Sequence, residues 1–268
     1  VFNDDINYLK DLNCSYTTIN INFEELIYPN EMYEDGTKIE LSVPEDAYSF
    51  ISNGKTYYFN KARVDGFDKQ IKSLYDEKLH ITAIILAKNV NIRPENFPQN
   101  MTYLPYSTQG TALLSINTAN SSGFEYYIAL MEFLASRYSD TSFEHGYIAN
   151  YVIGNEVDYA QDYFKISDKL ENINIYMEEY SRLMRLSNLA VKKYNANVAV
   201  NMPLTQAWTQ VGLEGMDYYA PKLMVDWLNK KTKLEGDYDW GLAPHCYAYG
   251  LANSAAYLMD TIHGRKVG

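Results

Sequence analysis

Short β-rich runs recur along this chain with amphipathic helical segments between them. That alternation constrains the fold more than any single motif does. The runs are Tyr16–Ile21 (YTTINI), Ile81–Ala87 (ITAIILA), Tyr147–Ile153 (YIANYVI), Asn197–Asn201 (NVAVN) and Trp240–His245 (WGLAPH). The longest are not strictly alternating in polarity, which leads one to expect strands covered on both faces. Between them, Phe67, Ile71, Leu74 and Tyr75 follow one helical face. Phe124, Tyr127, Ile128, Met131, Leu134, Ala135 and Tyr138 follow a second, behind capping candidates at Asn120 to Ser122. Ile173, Tyr176, Met177, Tyr180, Leu183, Met184, Ser187, Ala190, Val191 and Tyr194 follow a third. A short helix from Asp4 to Leu12 is expected to lead into the first strand. Helix and strand therefore alternate throughout, the pattern of a parallel α/β fold.

The connections carry a second signal. Those from helix to strand are short, as at Asp76–His80 and Asn195–Ala196, whereas those from strand to helix are mostly long: Asn22–Asp65, Lys88–Gly123, Gly154–Asn172 and Met202–Pro221. The first of the long ones contains its own hairpin, YSFI-SNGK-TYYF, turning at Asn53-Gly54. Elaboration at the C-terminal ends of parallel strands marks the working face, both in a (β/α) barrel and in an open doubly wound sheet.

Composition prunes the functions available. The chain has 268 residues, 47% of them apolar, and a net charge of −11, so no basic run stands ready to neutralise phosphates. Nucleic acid and anionic membrane are excluded as expected partners. No apolar stretch is long enough to span a bilayer, so no membrane insertion is expected. Cys14 and Cys246 are too few for a disulfide framework and read as free buried thiols. The four histidines, His80, His145, His245 and His263, are scattered without metal-ligand spacing. Phosphate-loop and nucleophile-elbow motifs are absent, which removes the main support for nucleotide-binding and α/β-hydrolase readings. The chain opens at Val1, so it is expected to be a mature form or an excerpt.

The residues that carry chemistry lie in Asn150-Tyr151-Val152-Ile153-Gly154-Asn155-Glu156-Val157-Asp158. There an apolar strand runs straight into an adjacent amide and carboxylate. Glycosidic hydrolysis needs a carboxylic acid beside the leaving oxygen and a second carboxylate across the anomeric carbon. An amide beside the acid suits a sugar 2-hydroxyl.

Gly154-Asn155-Glu156 closing a mid-chain strand resembles the strand-4 signature of the large glycoside hydrolase clan with (β/α)8 TIM barrels and retaining chemistry. That resemblance implies Glu156 as general acid/base and Asn155 as its substrate-binding partner. The segment WGLAPHCY is similar to the strand-6 segment of such barrels, which implies that His245 and Tyr247 line the site. More specifically, the order of ININ near Asn20, SINT at Asn117, FLASRYS, VIGNEVD and APHCY resembles the family of unknown function numbered 5722. The implied fold is a (β/α)8 barrel of which about five parallel strands are visible. Strand 1 and strands 7 and 8, with the clan's nucleophile, would lie outside the chain, so the nucleophile is left unassigned. The expectation is one barrel domain over residues 1–268, an excerpt of a longer chain; the alternative is a five-stranded remnant completed by a second chain.

Each residue also has a plainer reading. Glu156 closes a buried strand, Asn20 and Asn117 are either turn residues or sugar contacts, and His245 is either a site residue or a core histidine. Asp158 and Asp162 are expected to be solvated or capping. Aromatic residues crowd the long loops, and most are expected to pack there. Trp208 and Tyr247 are singled out as candidate sugar platforms because they lie nearest the strand ends. The leading expectation is a retaining glycoside hydrolase with a carbohydrate substrate, no metal or organic cofactor, and a location outside the cell or at its surface. The alternatives are a non-catalytic carbohydrate-binding barrel, or an unrelated hydrolase or lyase using Glu156 as a lone base. Oligomeric state is not legible.

Overall fold

Five of the β-rich runs pair into one parallel sheet. In the computed structural model, residues 9, 11, 13–34, 37–89, 101–104, 108, 111–205, 208, 209 and 218–245 are described. The strands, in chain order, are β1 (Tyr16–Asn22), β2 (Ile27–Tyr28), β3 (Glu31–Glu34), β4 (Thr37–Glu40), β5 (Tyr48–Ser52), β6 (Lys55–Phe59), β7 (His80–Lys88), β8 (Leu113–Leu114), β9 (Ile148–Ile153), β10 (Ala199–Leu204) and β11 (Gly241–Pro244). The parallel sheet has the order β1-β7-β9-β10-β11, with β8 antiparallel to the end of β7.

Among the described residues this order runs in one direction along the chain without a reversal, so the described sheet has no topological switch point of the doubly wound kind. With right-handed crossovers, successive helices then fall on one side. They form a continuous layer there. Arg137 of the helix Ser121–Tyr138 grips Asp68 of the helix Lys61–Asp76, with Nε 2.8 Å from Oδ1. Tyr127 and Ser187 share a buried hydroxyl contact of 2.5 Å with the helix Ile173–Lys192. Lys231 of the helix Pro221–Leu234 reaches Glu178 at 2.8 Å. A singly wound parallel sheet with all its helices outside is the wall of a (β/α) barrel, and among the described residues it comprises five parallel strands and is not closed.

Local signals place the helices. Asn60, Asn120 and Asn172 each accept a backbone N–H in the first turn of the following helix, and Pro221 opens the last. Gly123 is required where it stands, because a Cβ there would lie 2.1 Å from Asn117 O. The hairpin at Asn53-Gly54 forms as its sequence demands, with φ of 49° and 78°. The same long connection also holds the short helix Phe23–Leu26 and the β3/β4 hairpin, which lacked a sequence signal.

One expectation is corrected. The parallel strands are not equally covered on both faces. Ile19, Ile21, Ile81, Ala83, Ile85, Tyr151, Ile153, Val200, Met202 and Leu204 are buried under the helices. On the opposite face Thr18 and Asn20 are exposed, Thr82, Ile84, Asn150 and Asn201 are only half-buried, and Val152 alone of these is buried. Polar Thr and Asn at these inward positions tolerate water, so a run that does not alternate strictly in polarity can still leave one face open. Of the Asp4–Leu12 helix, only Leu9 and Asp11 are described, both helical; the rest lies outside the described residues.

Candidate active site

Parallel register brings the candidate residues to one level. Val152 pairs with Asn201, and Asn201 with Gly241. Counting upward equally from that row reaches Glu156, Thr205 and His245, each just beyond the end of its own strand. Glu156 Oε1 and His245 Nδ1 meet at 2.9 Å, although the residues are far apart in sequence. Their side chains are 15% and 21% exposed, so the pair is shielded yet reachable from solvent. The contact needs a proton between the two atoms. Either the imidazole Nδ1–H donates to a carboxylate, or the carboxyl donates to Nδ1. A pair that holds a proton in either state is suited to general acid/base work.

The turn carrying Glu156 is held from many sides. Gly154 has φ of 87° and Glu156 has φ of 38°, the left-handed region that a side chain rarely adopts. Gly154 N–H donates to Ile85 O at 2.9 Å, and Val157 N–H to Pro203 O at 3.1 Å. From the helix behind, Tyr180 Oη–H donates to Ile153 O at 3.0 Å and Tyr176 Oη–H to Val157 O at 2.5 Å. These tyrosines are buried, as helical spacing predicts, and their hydroxyls also clamp the carbonyls on either side of Glu156. Strained backbone persists only where surrounding contacts over-determine it.

Gly154 is the most sensitive point of this turn. A Cβ there would meet Val157 Cγ1 at 3.0 Å, on a backbone that L residues avoid. Gly154→Ala is expected to lower stability by about 1–3 kcal/mol, read from urea unfolding. Unchanged stability would mean that the turn relaxes freely.

Asp158 departs from expectation. It is fully buried rather than solvated, and accepts hydrogen bonds from Thr205 N–H at 2.8 Å and from Thr205 Oγ1. Burial raises its pKa, the two Thr205 bonds oppose that rise, and the nearby Glu156 carboxylate adds to it. A second buried carboxyl, Glu24, lies in the short helix after β1 and accepts Lys88 N–H at 3.2 Å on both oxygens. Burial pushes its pKa up to about 7.

The remaining candidates are more dispersed. Asn155 is half-buried beside Glu156. Asn20 projects from the exposed face of β1, at the level of Ile84 and hence of Val152, four residues below the level of Glu156. Asn117 forms a turn, its Oδ1 accepting Ala119 and Asn120 N–H at 3.2 Å. Trp208 is 47% exposed in the turn after β10. Tyr247 lies outside the described residues, as do Cys246 and His263. Cys14 is exposed rather than buried. Much of the loop aromatic content is packing, as expected: Tyr218 and Tyr219 are buried, and Tyr159 meets Tyr218 edge-on at 6.1 Å. Among the described residues, no group of three or more His, Cys, Asp or Glu side chains is placed to hold a metal ion, and no helix is long and apolar enough to cross a membrane.

Sequence reasoning missed Thr205 and Glu24, and it read Asp158 as solvated or capping. Only the parallel register, which places Thr205 opposite Glu156, could have pointed to Thr205 and to the burial of Asp158.

A family model described as a family of unknown function, DUF5722, matches residues 1–266. No curated protein matches the sequence. Among solved structures, the chain is similar to a family 1 β-glucosidase from Thermotoga maritima in complex with isofagomine lactam. That match has a TM-score of 0.45 and 11% identity, and covers 80% of this chain and 39% of the other. The Thermotoga maritima β-glucosidase in complex with azafagomine gives a TM-score of 0.45 and 12% identity, over 94% of this chain and 56% of the other. A GH53 catalytic domain from Ignisphaera aggregans gives 0.40 and 10%, over 69% and 42%. The chain thus spans less than two thirds of each of these proteins.

Proposed function

We propose that this chain, which belongs to the DUF5722 family of unknown function, is the acid/base-bearing part of a retaining glycoside hydrolase. The observation that carries the reading is the Glu156–His245 contact of 2.9 Å at the C-terminal ends of β9 and β11. In a singly wound parallel sheet, that end is where catalytic side chains gather. Glu156 would protonate the departing glycosidic oxygen and later deprotonate the incoming water, with His245 holding its carboxyl in place. Asn155 would meet the sugar hydroxyl next to the anomeric carbon, and the exposed Trp208 would offer a stacking face. The nucleophilic carboxylate is assigned to no residue here. The substrate would be a poly- or oligosaccharide, met outside the cell or at its surface.

A panel of 4-nitrophenyl α- and β-glycosides tests the reading. The full-length protein is expected to release nitrophenol from at least one, and its Glu156→Gln variant to lose that turnover. Activity unaffected by Glu156→Gln would remove Glu156 from the mechanism. Saturable oligosaccharide binding without any turnover would replace the enzyme with a binding protein.

A further inference from the structure

We propose that Asp158 is a positioning residue for Glu156, latching the turn after β9 onto the end of β10 so that Glu156 stays against His245. This rests on the reading of Glu156 as the acid/base. Asp158 is fully buried, so it does not meet a substrate itself. Both of its carboxyl oxygens are engaged by Thr205, one by the backbone N–H at 2.8 Å and the other by the hydroxyl. Its carbonyl accepts Tyr219 N–H at 2.9 Å.

Thr205 shares the level of Glu156 and His245, and β10 lies between the strands that carry them. A link from the Glu156 turn to Thr205 therefore fixes Glu156 relative to the strand that separates it from its partner. The need is local. Glu156 occupies a left-handed conformation at φ of 38°, which costs free energy and would relax if one flank came loose. The flank before it is held by Gly154 N–H and Tyr180, and the flank after it by Val157, Tyr176 and Asp158. Of the side chains on these flanks, Asp158 is the one that crosses to β10. A buried carboxyl is a costly way merely to fill space, since an apolar residue would avoid its desolvation.

The test reads the pair directly and requires no substrate. In 15N-labelled protein, the Nδ1 resonance of His245, assigned by its loss in His245→Gln, reports the contact with Glu156. Glu156→Ala sets the shift for a broken pair. Asp158→Ala is expected to move Nδ1 toward that value. Asp158→Asn is expected to stay near wild type, because its Oδ1 still accepts Thr205 N–H and its Nδ2 can donate to Oγ1. Thr205→Val, which removes only the hydroxyl bond, is expected to move it part of the way and decides the matter if Asp158→Ala does not fold. The latch is overturned if neither Asp158→Ala nor Thr205→Val moves the resonance. It is also overturned if Asp158→Asn moves it as far as Asp158→Ala, because charge rather than hydrogen bonding would then be responsible. A Glu156→Ala variant that leaves Nδ1 unchanged would instead undermine the pair, and with it the proposed function.

Discussion

Glu156→Ala is expected to lose about 10²–10⁴-fold in kcat/KM on glycosides whose leaving group is a poor one, such as an alkyl alcohol. The same substitution is expected to leave cleavage of a 2,4-dinitrophenyl glycoside nearly intact in its first step. The difference follows from the assigned role. An alkoxide cannot depart without a proton, and on the proposed reading the carboxyl held against His245 at 2.9 Å would supply it. Dinitrophenolate needs no proton, so its departure is indifferent to Glu156. Kinetics across a series of aryl and alkyl glycosides would show this as a much steeper dependence of rate on leaving-group acidity in the variant. Equal losses on all substrates would assign Glu156 to binding or to folding rather than to proton transfer.

The second large effect concerns stability and pH. Glu24 is 5% exposed, and its pKa is raised from 4.5 to about 7 by burial. Below pH 4.5 the group is protonated in both folded and unfolded chains, and nothing is lost. As pH rises toward 7 the unfolded chain ionises while the folded chain resists, so stability falls. Each pH unit across that gap is worth about 1.4 kcal/mol, so the fall attributable to Glu24 is roughly 3 kcal/mol and levels off above pH 7. Glu24→Gln keeps an oxygen for Lys88 N–H and has no charge to desolvate. Urea unfolding at pH 4.5 and pH 8 should show the variant gaining on wild type by about that amount. A difference independent of pH would mean that Glu24 ionises as easily in the folded chain as in water.

Much of the architecture was legible because it depends on local chemistry. Alternating β-rich and helical runs gave the parallel sheet, Asn-Gly gave the hairpin turn, and Asn120 marked the start of one helix. The asymmetry between long and short connections pointed to the C-terminal ends of the strands, and Glu156 and His245 meet there. What could not be read depends on partners distant in sequence. Asp158 looks like a solvated loop residue until Thr205 is brought beside it by the β9–β10 register. Tyr176 and Tyr180 read as core by their spacing, and they are core. Their second role, holding the carbonyls around Glu156, is set by how that helix docks on the sheet. Glu24 sits in an unremarkable Phe-Glu-Glu-Leu stretch, and only the fold reveals which of the two glutamates is buried. Asn20 and Asn117 had two readings each; the turn is realised at Asn117, and Asn20 lies on the open inner face.

The central claim, that Glu156 supplies general acid/base catalysis in a retaining reaction, has a direct test in azide rescue. In the full-length protein, whose nucleophilic carboxylate would displace dinitrophenolate from a 2,4-dinitrophenyl glycoside to form the glycosyl ester, Glu156→Ala would build up that glycosyl-enzyme readily but release it slowly, because no base is left to activate water. Azide needs no deprotonation and is expected to restore turnover, yielding a glycosyl azide with the anomeric configuration of the substrate, identified by NMR. An azide of inverted configuration, or a rate that azide does not change, would contradict the account.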